Sequence, residues 1–156
     1  MHVHTARFGR IEVEEDRVIT FPRGIYGFEH CRRFFLHREP FRGRPVEAWL
    51  AWLQSVEDGD VAFLVMDPAV AFPTYRPAVP KADLETVGLA AQADGALLVI
   101  AVVPPDTRDI TVNLRAPLLV NPAERLGVQV ILEDDAYPLR QPLSSAMSKG
   151  QARMIG

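Results

Sequence analysis

The stretch Trp49-Leu50-Ala51-Trp52-Leu53-Gln54-Ser55-Val56-Glu57-Asp58-Gly59-Asp60-Val61-Ala62-Phe63-Leu64-Val65-Met66-Asp67-Pro68 decides the fold. Two apolar runs, Trp49 to Leu53 and Val61 to Met66, flank a polar connection from Ser55 to Asp60. The Asp58-Gly59 pair inside it is a turn signal. The two runs therefore read as an antiparallel strand pair. Pro68 ends the second strand, because proline has no N–H to give to a ladder.

The rest of the chain keeps this rhythm, with thirteen prolines and ten glycines cutting it into short segments. Phe8 to Val13 alternates as a half-buried strand. The charged turn Glu14 to Arg17 leads to a returning hairpin strand, Val18 to Phe21. Pro22 to Phe28 is a loop whose Gly24 and Gly27 allow sharp turning. Glu29 to Arg33 reads as one helical turn, and Phe34-Phe35-Leu36 as a strand. Lys81 to Leu89 reads as a short helix, and Ala96 to Val103 as a fully buried central strand. Ile110 to Leu114, Leu118 to Val120 and Gly127 to Leu132 complete the strands, with a capped helical turn from Asn121 to Arg125. The expectation is a mainly β, single-domain, antiparallel barrel-like fold of eight to ten short strands with a few helical turns. Periodicity is equally consistent with a sandwich. Residues 1–143 are read as the domain and 144–156 as a flexible tail.

Composition narrows the function. The 156 residues are 48% hydrophobic and 24% charged, as in a globular protein. No apolar run spans a bilayer and no signal peptide pattern is visible, so a membrane partner is not expected. One cysteine, Cys31, excludes an intrachain disulfide and suits a reducing, cytoplasmic compartment. Net charge is −3. Residues 1–44 carry nine Arg against six acids, while residues 45–156 carry eight Lys and Arg against fourteen acids. That excess either is solubilising surface charge or serves to repel phosphate backbones and attract a basic protein.

Catalytic and metal-binding patterns are absent. There is no GxSxG, Walker loop, GxGxxG or CxxC. His2 and His4, in an N-terminus expected to fray, supply two ligands and do not complete a metal site. His30-Cys31 lacks an orienting third group, so Cys31 reads as a packed side chain. Glu133-Asp134-Asp135 does not match a calcium loop. No cofactor, metal, small-molecule substrate or enzymatic activity is expected. Four amides, Gln54, Asn113, Asn121 and Gln129, stand in apolar contexts. Either they hold loops by hydrogen bonds, or they line a recognition surface.

Several blocks carry a resemblance. Ile19-Thr20-Phe21-Pro22-Arg23-Gly24-Ile25-Tyr26-Gly27-Phe28-Glu29 is followed by Trp52-Leu53-Gln54-Ser55-Val56-Glu57-Asp58, Ala62-Phe63-Leu64-Val65-Met66-Asp67-Pro68 and Phe72-Pro73-Thr74-Tyr75. Then come Thr111-Val112-Asn113-Leu114-Arg115-Ala116-Pro117, Leu119-Val120-Asn121, Gly127-Val128-Gln129-Val130-Ile131-Leu132 and Tyr137-Pro138-Leu139-Arg140. In this order they resemble the flagellar assembly factor FliW family over about residues 5–143. Two departures stand out: residues 40–51 are longer and richer in Arg and Trp than usual, and Tyr26 replaces a frequent proline. The resemblance implies a β-barrel-like cytoplasmic protein that binds flagellin before export. It also implies, as an alternative partner, the basic RNA-binding repressor CsrA, whose block on flagellin translation is thereby relieved.

Within that scheme, charge and loop position place the CsrA-facing surface at Glu57, Asp58, Asp67, Glu133, Asp134 and Asp135, with Phe72 and Tyr75 adding apolar area. The flagellin groove is sought at Pro22 to Phe28 and at Phe72 to Tyr75, unless these aromatics close the barrel ends instead. Two other classes compete. One is a small-molecule-binding barrel, which needs a deep polar pocket. The other is an OB-like RNA binder, for which only Arg32 to Arg44 with Phe34, Phe35 and Phe41 has a suitable mix.

Overall fold

A computed structural model of the chain describes residues 1–38, 50–105, 109–133 and 137–143. The expected connection from Pro40 to Pro45, Asp134, Asp135 and the 144–156 segment lie outside the described residues.

The predicted strand pair is present as β5 (Leu50–Ser55) and β6 (Ala62–Met66), antiparallel with Leu53 opposite Phe63. Outward from it, β4 (Arg33–His37) pairs with β5, and β3 (Ile19–Thr20) pairs with β4. On the other side β7 (Ala96–Val102) pairs with β6. β9 (Leu118–Asn121) and β10 (Leu126–Gln129) form a hairpin. β10 joins β3 and β9 joins β7, so seven strands close into a barrel. Closure removes the open edges a sandwich would keep. The strands are antiparallel except at the β3–β10 seam, where Leu126 stands beside Thr20 in parallel. The far half of β7 carries an arm of β8 (Thr111–Val112) and β11 (Gln141–Pro142).

Alternation along each strand separates two apolar zones. Inside the barrel lie Phe21, Ile25, Phe34, Leu53, Val65, Leu118 and Val120, most of them without solvent exposure. Outside, Trp52, Leu64, Met66, Val99 and Val112 pack beneath α1 (Pro68–Ala71) and the Phe72–Tyr75 segment. Val87, Leu119, Val128 and Val130 pack beside α2 (Lys81–Thr86). The barrel is thus filled, as small barrels are.

Five local expectations are corrected. The strand Gly9–Glu12 (β2) pairs with β1 (His2–Thr5), not with Val18 to Phe21. Glu15–Arg17 forms a 3-10 turn that sends the chain away to β3 instead of folding it back. The N-terminus is accordingly pinned: the Met1 ammonium donates to Val13 O at 2.8 Å, and Val13 N–H donates to Met1 O at 2.8 Å. Glu29 to Arg33 is no helical turn, since Cys31 N–H returns to Phe28 O and β4 begins at Arg33. β7 is only partly buried, with Val102 61% exposed where the sheet ends in the arm. Asn121 to Arg125 is the β9–β10 hairpin loop, closed by Arg125 at φ 55°, although Asn121 Oδ1 still accepts Ala123 N–H at 3.1 Å as a cap would.

Candidate functional site

The chain from Phe21 to Arg32 crosses one end of the barrel. Gly24, at φ +69°, turns it inward; a Cβ there would stand 2.9 Å from the Glu29 Cα, so only glycine fits. Phe21 and Ile25 enter the barrel core and stop it. The next residues face outward: Tyr26 is 83% exposed and Phe28 is 37% exposed. Phe28 rests edge-on against Phe63 of β6, with ring centroids 5.1 Å apart. Gln129 Oε1 accepts Tyr26 N–H at 2.8 Å and ties the loop to β10. Val128, Val130 and Leu132 are buried on one side of that segment, so Gln129, Ile131 and Glu133 take the other, and Ile131 is 56% exposed. Tyr26, Phe28 and Ile131 are therefore exposed large apolar side chains around one barrel mouth.

The β5–β6 turn reaches the same end. Ser55 Oγ accepts Asp58 N–H at 3.0 Å and sets the turn. Glu57 Oε1 accepts the backbone N–H groups of Arg32 and Arg33 at 3.2 and 3.1 Å, and Oε2 accepts Arg33 Nε–H at 3.0 Å. Partial burial raises the Glu57 pKa, but these hydrogen bonds outweigh it and hold the carboxyl below the ordinary glutamate value. Asp58 is held below the ordinary aspartate value by the Asp60 N–H on Oδ1 at 3.0 Å, and then by His30, whose Nε2 lies 3.1 Å from Oδ2.

The remaining sequence-predicted residues divide. Asp67 lies at the opposite end of β6 from Glu57 and Asp58, so the three do not form one acidic edge. Its Oδ1 accepts Ala69 N–H at 2.9 Å and caps α1, with Pro68 in the first helical position. Asp67 and Tyr75 line a surface groove of about 570 Å³ with Arg76, Gln92 and Leu97. Phe72 is half-buried beside it. Tyr75 is buried and donates its hydroxyl to Leu114 O at 2.5 Å, and its ring meets Tyr137 edge-on at 4.8 Å. Burial, aided by Tyr137, pushes the Tyr75 hydroxyl pKa well up. Its aromatic area serves the core. Glu133 is exposed, two residues past Ile131.

The four amides all hold loops. Gln54 Nε2 donates to Ser55 O and Val61 O, each at 3.1 Å, across the β5–β6 turn. Asn113 Oδ1 accepts Arg115 and Ala116 N–H groups, leaving Pro117 O to accept Val130 N–H at 2.8 Å. Asn121 Nδ2 donates to Val87 O at 2.7 Å. Gln129 holds Tyr26 as described. Two participants are not singled out by sequence reasoning. Ile131 lies in the strand pattern of 127–132, but alternation does not say that its face stays uncovered. His30, which in sequence lacks a third group beside Cys31, has one in the fold: Asp58 Oδ2, from a different turn, lies 3.1 Å from its Nε2.

The chain matches known proteins over most of its length. The family model described as FliW protein covers residues 2–143. This chain belongs to the FliW family. Flagellar assembly factor FliW of Symbiobacterium thermophilum is 44% identical over 128 residues, covering 82% of this chain and 90% of that protein. The FliW of Natranaerobius thermophilus is 38% identical over 144 residues, 92% of each chain. A crystal structure of the flagellar assembly factor FliW superimposes with a TM-score of 0.82 at 33% identity, covering 92% of this chain and 96% of that one. The FliW family's mainly β barrel is thus the fold observed here. Among the described residues no helix is long and apolar enough to cross a membrane.

Proposed function

We propose that this FliW-family chain is a non-enzymatic cytoplasmic binding protein that holds flagellin and, in exchange for it, the repressor CsrA, so that flagellin supply controls flagellin translation. The observation that carries the reading is the barrel mouth, where Tyr26, Phe28 and Ile131 stay exposed although the interior beneath them is filled. Clustered exposed apolar side chains beside polar ones mark protein-binding surfaces. Flagellin's apolar segments suit this mouth. CsrA, being basic, suits the described acids at this end, Glu133 and the Glu57–Asp58 turn; Asp134 and Asp135 follow Glu133 in sequence and add to its charge. Asp67, with Phe72, lies at the other barrel end and is a lesser candidate.

Two features speak against the competing classes. Buried side chains occupy the barrel interior where a small ligand would sit. Of the aromatics proposed for RNA stacking, Phe34 and Phe35 are buried, and Phe41 lies outside the described residues.

Calorimetric titration with flagellin and CsrA from the same source tests the proposal. Binding of both, with flagellin blocking CsrA, is the expected result. The pair Tyr26→Ser and Ile131→Ser should weaken flagellin binding by at least about tenfold, as loss of an interface anchor does, without lowering the melting temperature. No binding by a folded sample would overturn the reading.

A further inference from the structure

At the same barrel end, three side chains from two separate turns converge. His30, Cys31 and Asp58 each offer one donor atom, a ring nitrogen, Sγ and a carboxylate oxygen, and all lie within 4.8 Å of one another. It is the one group of three or more His, Cys, Asp or Glu donors so placed among the described residues. We propose that His30, Cys31 and Asp58 form a binding site for a divalent transition metal of the zinc class, with a fourth position open to water. The assignment is independent of the flagellin and CsrA reading.

The donor chemistry sets the class of ion. A thiolate with an imidazole and a carboxylate suits Zn²⁺ and its borderline-soft neighbours, whereas Ca²⁺ and Mg²⁺ take oxygen ligands. Ligand bonds of about 2.0–2.3 Å place neighbouring donors in a tetrahedron roughly 3.3–3.7 Å apart. His30 Nε2 and Asp58 Oδ2 already stand 3.1 Å apart. The group needs to tighten by only about an ångström at its widest to reach tetrahedral spacing, and the His30 side chain is 59% exposed, so no packed core resists that shift.

The backbone on both sides is fixed before any ion arrives. Asp58 Oδ1 is occupied by the Asp60 N–H, which leaves Oδ2 toward His30. Ser55 Oγ holds the Asp58 N–H, and Phe28 O holds the Cys31 N–H. Glu57 clamps the N–H groups of Arg32 and Arg33 just beyond Cys31. Such outer contacts preorganise ligands and raise affinity. Cys31 is fully buried in the cluster of Phe21 and Phe34, so its sulfur forms the apolar floor of the site while His30 and Asp58 form its outer wall. Binding requires the Cys31 thiol to release its proton to the buffer as the metal–sulfur bond forms. Asp58 follows 27 positions after Cys31, with no ligand spacing that a sequence motif would report.

Titration of the full chain with Co²⁺ tests the site, because Co²⁺ substitutes for Zn²⁺ and shows a sulfur-to-metal charge-transfer band when a thiolate binds. The expected result is saturation at one equivalent, a charge-transfer band, and displacement by Zn²⁺. His30→Ala should weaken binding by on the order of 100-fold, since loss of an outer-shell partner alone costs about 10–100-fold. Its metal-free melting temperature should change little, because the His30–Asp58 pair is exposed and such pairs contribute little. Cys31→Ser should remove the band; should that buried replacement prevent folding, His30→Ala and Asp58→Asn carry the test. The double variant His2→Ala, His4→Ala should keep the band. Absence of a charge-transfer band at saturating Co²⁺, or a band of unchanged affinity in His30→Ala, would overturn the proposal.

Discussion

Glu57 receives three N–H groups from the two residues that open β4. Read as sequence, it is one acid in a polar turn, available to a basic partner. In the fold most of its hydrogen-bonding capacity is spent inside the molecule. Its pKa lies below the ordinary value of 4.5, so its contribution to stability is complete above that value and is lost as pH falls through the lowered one. Glu57→Gln keeps an acceptor but loses the charge. It should cost on the order of 1 kcal/mol at neutral pH, modest because the side chain is part exposed and screened. The gap from the native chain should close as the pH falls below 4.5. Urea unfolding across pH 3–7, as a range of about four units, checks this; a gap constant with pH would show that the charge contributes nothing. Tyr75 teaches the converse: read in sequence as interface area, it is buried in the fold, where Leu114 O accepts its hydroxyl.

At the scale of elements, the β1–β2 hairpin is the unit the sequence misassigned. Its Val3 and Val13 pack with Val18 and Phe35 against the outer face of the barrel. The hairpin is docked through Gly59, whose carbonyl accepts Ala6 N–H at 3.0 Å. Gly59 was legible as a turn glycine, but its φ is not positive. What requires glycine is close approach, since a Cβ would stand 2.1 Å from the His4 carbonyl oxygen. Gly59→Ala should therefore lift the hairpin and destabilise the chain by about 1–3 kcal/mol. Amide exchange of β1 should quicken far more than that of β5 or β6. Uniform acceleration would place the damage elsewhere. Local pattern identified strands well here, but two strands with the same alternation compete for one partner, and the 3-10 turn at Glu15–Arg17 settles which pairs.

At the scale of the molecule, the barrel closes on its weakest joint. β3 and β10 share one parallel register pair, supported by Thr20 N–H donating to Arg125 O at 2.9 Å. Parallel pairing is less stable per residue than antiparallel pairing, so Thr20 should exchange faster than the Leu53 and Val65 amides in the central pair. Equal protection would mean that the barrel opens only globally. Behind the seam, Phe21 fills the space that a Gly127 side chain would occupy, its ring carbons lying 2.5–2.8 Å from that Cβ position. The motif residues Phe21 and Gly127 thus form one contact from opposite ends of the chain.

The sequence by itself determined that this is a mainly β chain with its strong strand pair at 50–66 and its family, because alternation, turn residues and ordered motif blocks are local in the chain. Only the tertiary structure decided that seven strands close, that Asp67 stands apart from Glu57 and Asp58, and that Tyr26, Phe28 and Ile131 share one mouth. Those outcomes depend on which strand edges and faces meet across long chain separations, and periodicity carries a side chain's face but not the partner that covers it.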